Sequence, residues 1–378
     1  MVAQILAGVL NRPSIGIHDN YFALGGDSIQ AIQAVARIQA KGYTLNLRDI
    51  FQYPTVAELA PRLTYRSREI DQGVVTGELL PTPLQKWLLS QDRDVIHHYN
   101  QAVTLHFNSR LNVASLQSAL DAVMIHHDAV RITVQIDKLN IKEPELKSKL
   151  LLVPFDSKSD SVGLLTETRL KLHQSIDLAN GPLIKAALVQ GENQDSLILV
   201  IHHLCVDAVS WQILIEDIVS AYNSYSAGRS VDASADGKVV NSYSDVRAIE
   251  LPAKTDSFKY WSELVHKFIK VSDDEINYWK SLAQDEFKPI LTDFSNDNGI
   301  YQDSDFIEIT LPAPDTTTLT GKAQMAYHTD MNDLLLTSLA MALHYWADID
   351  KTIVALEGHG RDLIESNGTD SIDGTDSI

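Results

Sequence analysis

HHLCVDAVSW, residues 202–211, is the stretch that connects a predicted strand to a predicted helix. Before it, Leu197–Ile201 is a continuous apolar run, which is typical of a strand covered on both faces. After it, apolar residues recur at helical spacing, as in a helix that buries one face. These are Trp211, Leu214, Ile215, Ile218 and Tyr222. A strand that leads directly into a helix predicts a domain of mixed α and β structure.

The polar residues of this stretch admit several roles. His202 and His203 end the predicted strand, where a catalytic base is often held. The pair could instead bind a metal, but no third ligand stands at a recognisable spacing, and either ring could be a hydrogen-bonded core residue. Asp207 fits the N-cap of the helix that follows. Cys205 is predicted to be a buried filler, because nothing nearby would activate its thiol.

A second motif, DNYFALGGDSIQAIQ at residues 19–33, places Ser28 at the start of a predicted helix. Gly25 and Gly26 permit a tight turn that exposes the next side chain. A helix N-terminus carries partial positive charge and unpaired N–H groups, which suit an attached phosphate. From the pattern alone, a simple helix cap is the more common role for Ser28 or Asp27, since Ser and Asp are preferred caps. No neighbouring base makes Ser28 an activated nucleophile.

Bulk properties exclude several classes of protein. The 378 residues exceed one compact core, so two or more folded units are expected. A formal net charge of −19 argues against a nucleic-acid partner, which requires a basic surface. No apolar run reaches the roughly 20 residues that span a bilayer, and the N-terminus does not resemble a signal peptide. The single cysteine excludes an internal disulfide. We therefore expect a cytoplasmic protein without a membrane partner, and we predict no metal site.

The pattern changes along the chain and predicts four parts. Residues 1–66 predict a small helical bundle, and residues 67–78 a polar linker. Residues 79–250 are mixed α and β and include a helix over Val113–Ile125, with Asn112 as its N-cap. Residues 251–378 contain a helix capped by Asn332 or Asp333 and a strand over Thr352–Leu356. Residues 227–248 predict a mobile surface loop, and GTDSI occurs twice near the end.

The motif around Ser28 closely resembles the core of peptidyl carrier proteins, whose serine receives a 4′-phosphopantetheine arm. The match runs from His18 through Ile29. The resemblance implies a four-helix, all-α carrier domain with the arm on Ser28. In this family, the residue before the serine is usually Asp when an epimerization domain follows, so Asp27 points to the identity of the second domain.

The stretch at 202–211 closely resembles the HHxxxDxxSW motif of the condensation and epimerization superfamily. The resemblance implies a two-lobed α/β domain like chloramphenicol acetyltransferase, with a tunnel between the lobes. It implies that His203 faces the reaction centre, with His202 in a supporting role. It also implies that Asp207 is structural and pairs with Arg131. His126 and His127 would then have a packing or hydrogen-bonding role.

Residues 357–361, EGHGR, resemble the motif that separates epimerization domains from condensation domains. Epimerization at Cα of a thioester needs one group to remove a proton and another to deliver one on the opposite face. The resemblance implies that Glu357 is the base and that His203 is the acid or stabilises the enolate. His359 is a possible supporting residue.

Taken together, these resemblances predict part of a nonribosomal peptide synthetase module. Ser28 would carry an aminoacyl or peptidyl thioester, and the following domain would interconvert L and D configuration at its Cα. The expected partners are an upstream adenylation domain, a downstream condensation domain and a phosphopantetheinyl transferase. Two alternatives stay open: a condensation domain that forms a peptide bond, and a carrier joined to a non-catalytic docking remnant.

The resemblance also implies that the second lobe is incomplete. In the family, a TVGWFT-like string follows soon after EGHGR, and this sequence contains no such string after Arg361. The GTDSI repeats are polar and lack strand periodicity, so they would not replace the missing strands. We therefore expect this chain to accept the arm and an amino acid without epimerizing it.

Overall fold

The computed structural model describes residues 1–39, 41–65, 70–91, 96–136, 138–144, 150–155, 161–226, 251–268, 272–284, 287–290, 292, 305, 307–323, 329 and 331–358. The described residues form two units, one up to residue 268 and the other from 272 to 358. No helix in the part of the chain described is long and apolar enough to cross a membrane.

The N-terminal residues form the predicted helical bundle. Its apolar residues recur every three or four positions, so each helix turns one side to a shared core. In the second helix, Ile32, Val35 and Ile38 are fully or almost fully buried. The helices are α1 (Val2–Val9), α2 (Ser28–Gln39), α3 (Leu47–Gln52) and α4 (Val56–Leu59). A 3₁₀ turn over Ala60–Arg62 and the antiparallel pair β1 (Tyr43–Thr44) and β2 (Thr64–Tyr65) complete it.

The mixed α and β part of the first unit is built on a sheet of the strands β4 (Asn100–Phe107), β7 (Leu151–Pro154), β8 (Ile184–Gln190) and β9 (Asp195–His202). Their order in the sheet is β4-β9-β8-β7. Strands β7 and β8 are parallel, and the other neighbours in this sheet are antiparallel. Every residue of Leu197–Ile201 in β9 is fully buried, which confirms the predicted strand. This strand carries His202 and His203 to one end of the sheet.

A second sheet has the antiparallel order β3-β6-β5, with strands β3 (Gly77–Leu79), β5 (Ile132–Gln135) and β6 (Lys138–Ile141). Strand pairing therefore begins inside the stretch predicted as a linker. The division of the chain into domains and lobes stays a prediction.

The helices of this part include α5 (Pro83–Leu89), α6 (Val113–His126), α7 (Ser161–Gln174), α8 (Ala208–Ser226) and α9 (Phe258–Phe268). The predicted helix after Asn112 is confirmed, and its N-cap is confirmed because Asn112 Oδ1 accepts from the Ser115 N–H at 2.9 Å. Helix α6 packs against α8.

The second unit contains α10 (Asp273–Gln284), α11 (Ala313–Thr317), a π turn over Thr318–Ala323 and α12 (Met331–Ala347). Helix α12 begins at Met331, one residue before the first predicted cap. The predicted strand over Thr352–Leu356 is wrong, because residues 351–358 have no regular secondary structure. An apolar run becomes a strand only when its N–H and C=O groups meet a second strand. The predicted loop at 227–248, residues 359–361 and the GTDSI repeats lie outside the described residues.

The interface between α6 and α8 contains a carboxylate that is costly to bury. Burial raises the pKa of Asp121 to about 6, although Gln117 donates to Asp121 Oδ1 at 3.0 Å. In the unfolded chain this pKa is about 3.9. Between about pH 4 and pH 6 the folded protein therefore keeps a proton that the unfolded chain has lost, and stability falls as the pH rises through this window.

We expect Asp121→Asn to stabilise the protein at pH 8, where the penalty is fully present, and to change stability little at pH 4. The asparagine oxygen still accepts the hydrogen bond from Gln117. Urea unfolding midpoints of the variant and the wild type at the two pH values measure this. The exposed control Glu143→Gln should show no such pH-dependent gain. An equal gain at both pH values would contradict the assignment.

Candidate functional site

Ser28 is the first residue of α2, as predicted. Gly25 adopts a φ of +98° in the preceding turn, a conformation that glycine adopts without strain. A Cβ on Gly26 would overlap the ring of the buried Tyr21, so this position also requires glycine. Asp27 Oδ1 accepts from the Gln30 N–H at 2.7 Å and thereby caps α2. Because Asp27 is the cap, Ser28 is not needed for that task.

These surroundings suit a phosphopantetheine arm. Asp27 and Gly25 are exposed, so the turn before Ser28 lies at the surface. The N-terminus of α2, a helix of three turns, offers partial positive charge to a phosphodiester on its first residue. When attached, the arm supplies a thiol that carries the acyl group as a thioester.

The carrier bundle packs against α8 of the mixed part. Val209 and Ile213 of α8 join the apolar core around α2. Gln33 Nε2 donates to Glu216 Oε1 at 2.8 Å. A cavity of about 180 Å³ lies between the two helices and the loop that contains Lys254. The helix that begins at Ser28 thus lies beside the helix that follows the histidine stretch.

His202 is buried and has a structural environment. Its Nε2 lies 2.6 Å from the Ile96 carbonyl oxygen, and its Nδ1 accepts from the Leu204 N–H at 3.0 Å. Burial lowers its pKa to about 4, so the ring is neutral at physiological pH. A neutral ring with both nitrogens bonded to backbone holds the end of β9 to the loop that follows.

His203 is only partly buried. Its backbone N–H donates to the Tyr99 carbonyl at 2.8 Å, which continues the pairing of β9 with the chain at the start of β4. The ring of Tyr99 stacks on the imidazole, with centroids 5.1 Å apart and planes inclined by 13°. His203 Nδ1 lies 2.8 Å from the Val206 carbonyl oxygen. The ring is therefore fixed on one face and at one nitrogen.

The second ring nitrogen of His203 contacts a residue that sequence reasoning missed. Gln101 Nε2 lies 3.2 Å from His203 Nε2, and Gln101 Oε1 accepts from Trp211 Nε1–H at 2.7 Å. Trp211 is the last residue of the HHxxxDxxSW motif, and its indole reaches the histidine through Gln101. No local pattern marks Gln101, because it stands 102 positions before His203.

Asp207 caps α8, as its position in the sequence allowed. Its Oδ1 accepts from both the N–H and the hydroxyl of Ser210, each at 2.7 Å. The predicted pair of Asp207 with Arg131 is wrong. Arg131 Nη2 lies 2.6 Å from Asp128 Oδ1, three residues earlier in the same 3₁₀ turn. Asp128, only three residues before Arg131, pairs with the guanidinium in place of Asp207.

Arg131 also organises the backbone around it. Besides Asp128, the buried guanidinium donates to the carbonyl oxygens of Val75, Met124, Ile125, His127 and Lys142. It thereby joins the start of the mixed part to the end of α6.

We expect Asp128→Ala to lower the free energy of unfolding by about 3–5 kcal/mol, because it strands a buried guanidinium. Asp207→Ala removes a helix cap, which typically costs about 0.5–2 kcal/mol. Urea denaturation followed by tryptophan fluorescence compares the two variants. Equal losses, or a larger loss in Asp207→Ala, would restore the pairing that the sequence suggested.

His127 hydrogen-bonds Asp217 of α8, with Nε2 and Oδ2 2.7 Å apart. Together with His126, these side chains place potential metal ligands within 4.8 Å of one another. Burial lowers the pKa of His126 to about 4, and the nearby Lys254 ammonium acts in the same direction. The positive charge of Lys254 disfavours a metal cation at this position, and His127 and Asp217 already hydrogen-bond each other. The cluster therefore fits the hydrogen-bonding role expected of the two histidines.

Cys205 is buried, and burial raises the pKa of its thiol far above the usual range. Its Sγ donates to the His202 carbonyl oxygen at 3.3 Å. A neutral, enclosed thiol of this kind is a packing residue, as predicted.

Glu357 lies in the second unit, exposed and in a segment without regular secondary structure. His359 lies outside the described residues. That Glu357 and His203 act on the same Cα stays a prediction.

Two family models match the chain. The phosphopantetheine attachment site matches residues 2–63, and the condensation domain matches residues 75–374. Tyrocidine synthase 2 of Brevibacillus parabrevis is 36% identical over 371 residues, 97% of this chain and 10% of that protein. Gramicidin S synthase 1 of Brevibacillus brevis is 34% identical over 376 residues, 96% of this chain and 32% of that protein. The chain thus spans only a small part of these relatives.

Two solved structures are similar to much of this chain. The epimerization domain from the third module of tyrocidine synthetase B has a TM-score of 0.64 and 33% identity, over 74% of this chain and 61% of that chain. The X-domain in complex with OxyB from teicoplanin biosynthesis has a TM-score of 0.55 and 20% identity, over 74% of this chain and 60% of that chain, a likeness of fold alone.

Proposed function

Because this chain belongs to the condensation-domain family and has a phosphopantetheine attachment domain at residues 2–63, we propose that, within a whole synthetase module, it epimerizes Cα of the acyl group on its own carrier. The likeness to a solved epimerization domain, at 33% identity, carries the choice of epimerization over condensation. In this proposal the arm on Ser28 holds an aminoacyl or peptidyl thioester within a nonribosomal peptide synthetase module.

The chemistry needs two groups on opposite faces of Cα. One takes the Cα proton, and the electron pair of the broken C–H bond passes into the thioester as an enolate. The other returns a proton from the opposite side, which inverts the configuration. A positioned acid or base typically contributes ~10²–10⁴-fold. We assign the two tasks to Glu357 and His203, with His359 as a supporting residue.

The contacts of His203 support this role. Its ring is partly exposed, stacked on Tyr99 and bonded at both nitrogens, so it is oriented before substrate arrives. The contact of the carrier helix α2 with α8 supports delivery of the thioester, because α8 begins five residues after His203. The partners in this proposal are an upstream adenylation domain, a downstream condensation domain and a phosphopantetheinyl transferase.

Product chirality tests the function. A whole synthetase module that contains this carrier and this condensation-family domain is loaded on Ser28 with a panel of L-aminoacyl pantetheine groups, and the amino acid is analysed after thioester hydrolysis. We expect a mixture of L and D forms, and no peptide bond when a second loaded carrier is added. Retention of pure L configuration, together with peptide formation, would favour a condensation domain.

A further inference from the structure

Gln101 occupies a position from which one side chain can contact both halves of the histidine motif. It is the second residue of β4 and pairs with Ile201 of β9, two residues before His203. Trp211 stands in the first turn of α8, on the other side of the loop. The amide of Gln101 therefore links the end of the strand to the start of the helix.

The donors and acceptors around this amide fix its orientation. The indole N–H of Trp211 can only donate, so the Gln101 atom 2.7 Å from it is the carbonyl oxygen. The amide nitrogen then faces His203 Nε2 at 3.2 Å and donates to it.

The same reasoning identifies which nitrogen of the His203 imidazole carries the proton. The Val206 carbonyl oxygen, 2.8 Å from Nδ1, can only accept, so Nδ1 carries the proton. His203 Nε2 must then be the unprotonated nitrogen, since it receives the Gln101 N–H. A fully protonated ring would set two donors against each other across this contact.

We propose that Gln101, oriented by Trp211, is a positioning residue that keeps His203 Nε2 unprotonated, while the Val206 carbonyl holds the proton on Nδ1. The catalytic meaning of this inference rests on the proposed function. In that reaction His203 begins as the proton acceptor, whereas the sequence suggested an acid. The Cα–H bond breaks, its proton moves to Nε2, and its electron pair passes into the thioester as an enolate. A proton added on the opposite face, the task assigned to the side of Glu357, then uses that pair to form the new C–H bond. Because Nε2 takes the proton, the Gln101 amide must move away from it as the substrate enters.

The tautomer is measured by NMR on the full chain with ¹⁵N-labelled histidine, and His203→Gln identifies the signals. We expect a protonated Nδ1 and an unprotonated Nε2 at pH 7–8. Gln101→Glu places an acceptor beside Nε2, so that both ring nitrogens become protonated at the same pH. Gln101→Met removes the N–H that opposes a proton on Nε2, and Trp211→Phe leaves the amide free to turn its oxygen towards Nε2. Each should give partial protonation of Nε2, while Nδ1 keeps its proton for the Val206 carbonyl. Gln135→Glu, an equal charge change on an exposed residue of β5, should leave the His203 signals unchanged.

A protonated Nε2 in the wild type would overturn the inference. So would Gln101→Glu and Gln101→Met spectra that both match the wild type. Near-ultraviolet circular dichroism verifies that each variant is folded, and the two Gln101 variants keep the test decisive should Trp211→Phe unfold.

Measurements of Cα exchange distinguish a failure of the positioning role of Gln101 from a failure of the proposed function. In a whole synthetase module that contains this domain, Gln101→Glu should lower Cα exchange by roughly tenfold or more and change the pH dependence of the rate, whereas Gln135→Glu should not. If the tautomers behave as expected but the wild type shows no Cα exchange, the positioning role stands and the proposed function fails. If exchange occurs but the wild-type Nε2 is protonated, the positioning role fails alone.

Discussion

Ser28→Ala should accept no phosphopantetheine. The arm is attached through the serine hydroxyl, and alanine has no oxygen to form the phosphodiester. The substitution should leave the bundle folded, because the cap of α2 comes from Asp27. The full chain is co-expressed with a broad-specificity phosphopantetheinyl transferase, and intact mass counts the arms. We expect one arm on the wild type and none on the variant.

The exposed serine Ser14 supplies the matched control, since Ser14→Ala removes a hydroxyl from the same bundle. It should take up one arm like the wild type. A phosphopantetheine arm found on Ser28→Ala would show that another residue is the attachment site. Helix α2 would then have no role in carrying the thioester.

His203→Ala and Glu357→Gln should each lower Cα exchange by ~10²–10⁴-fold, the contribution of a positioned acid or base. Exchange requires that the Cα proton be removed and that the enolate take up another, so the loss of either group slows it. The assay uses a whole synthetase module that contains this domain, loaded on Ser28, and follows loss of deuterium from Cα of the bound amino acid. Intact mass verifies that both variants are loaded as fully as the wild type.

His106→Ala is the control for loss of an imidazole, because His106 lies on the same strand as Gln101 and is exposed. It should exchange at the wild-type rate. Wild-type exchange in His203→Ala or in Glu357→Gln would exclude that residue from the reaction.

Local patterns predicted the elements whose stabilising contacts are near in sequence. The cap of α6 lies within three residues, from Asn112 to Ser115, and an apolar run alone marks the buried strand β9. The strand expected over Thr352–Leu356 failed for the opposite reason. A strand requires a partner elsewhere in the chain, and the residues themselves do not reveal whether one is present.

The residues of the functional site divide in the same way. Those held by local contacts were predicted, and those held by distant contacts were not. Ser28 and Asp207 stand at helix starts that the sequence marks clearly, and both were found there. The family pattern paired Arg131 with the distant Asp207, whereas in the structure it pairs with Asp128, three residues away. Gln101 reaches His203 only through the register of β4 on β9, which no spacing of residues encodes.

Washout of Cα deuterium from the wild-type protein is the decisive measurement for epimerization, because proton removal at Cα is the step that defines an epimerase. An α-deuterated amino acid is loaded on Ser28 of a whole synthetase module that contains this domain, in ordinary water. We expect loss of deuterium far above the rate of the same thioester on the isolated carrier bundle, together with appearance of the opposite configuration. Deuterium retained at the rate of the isolated carrier would contradict it.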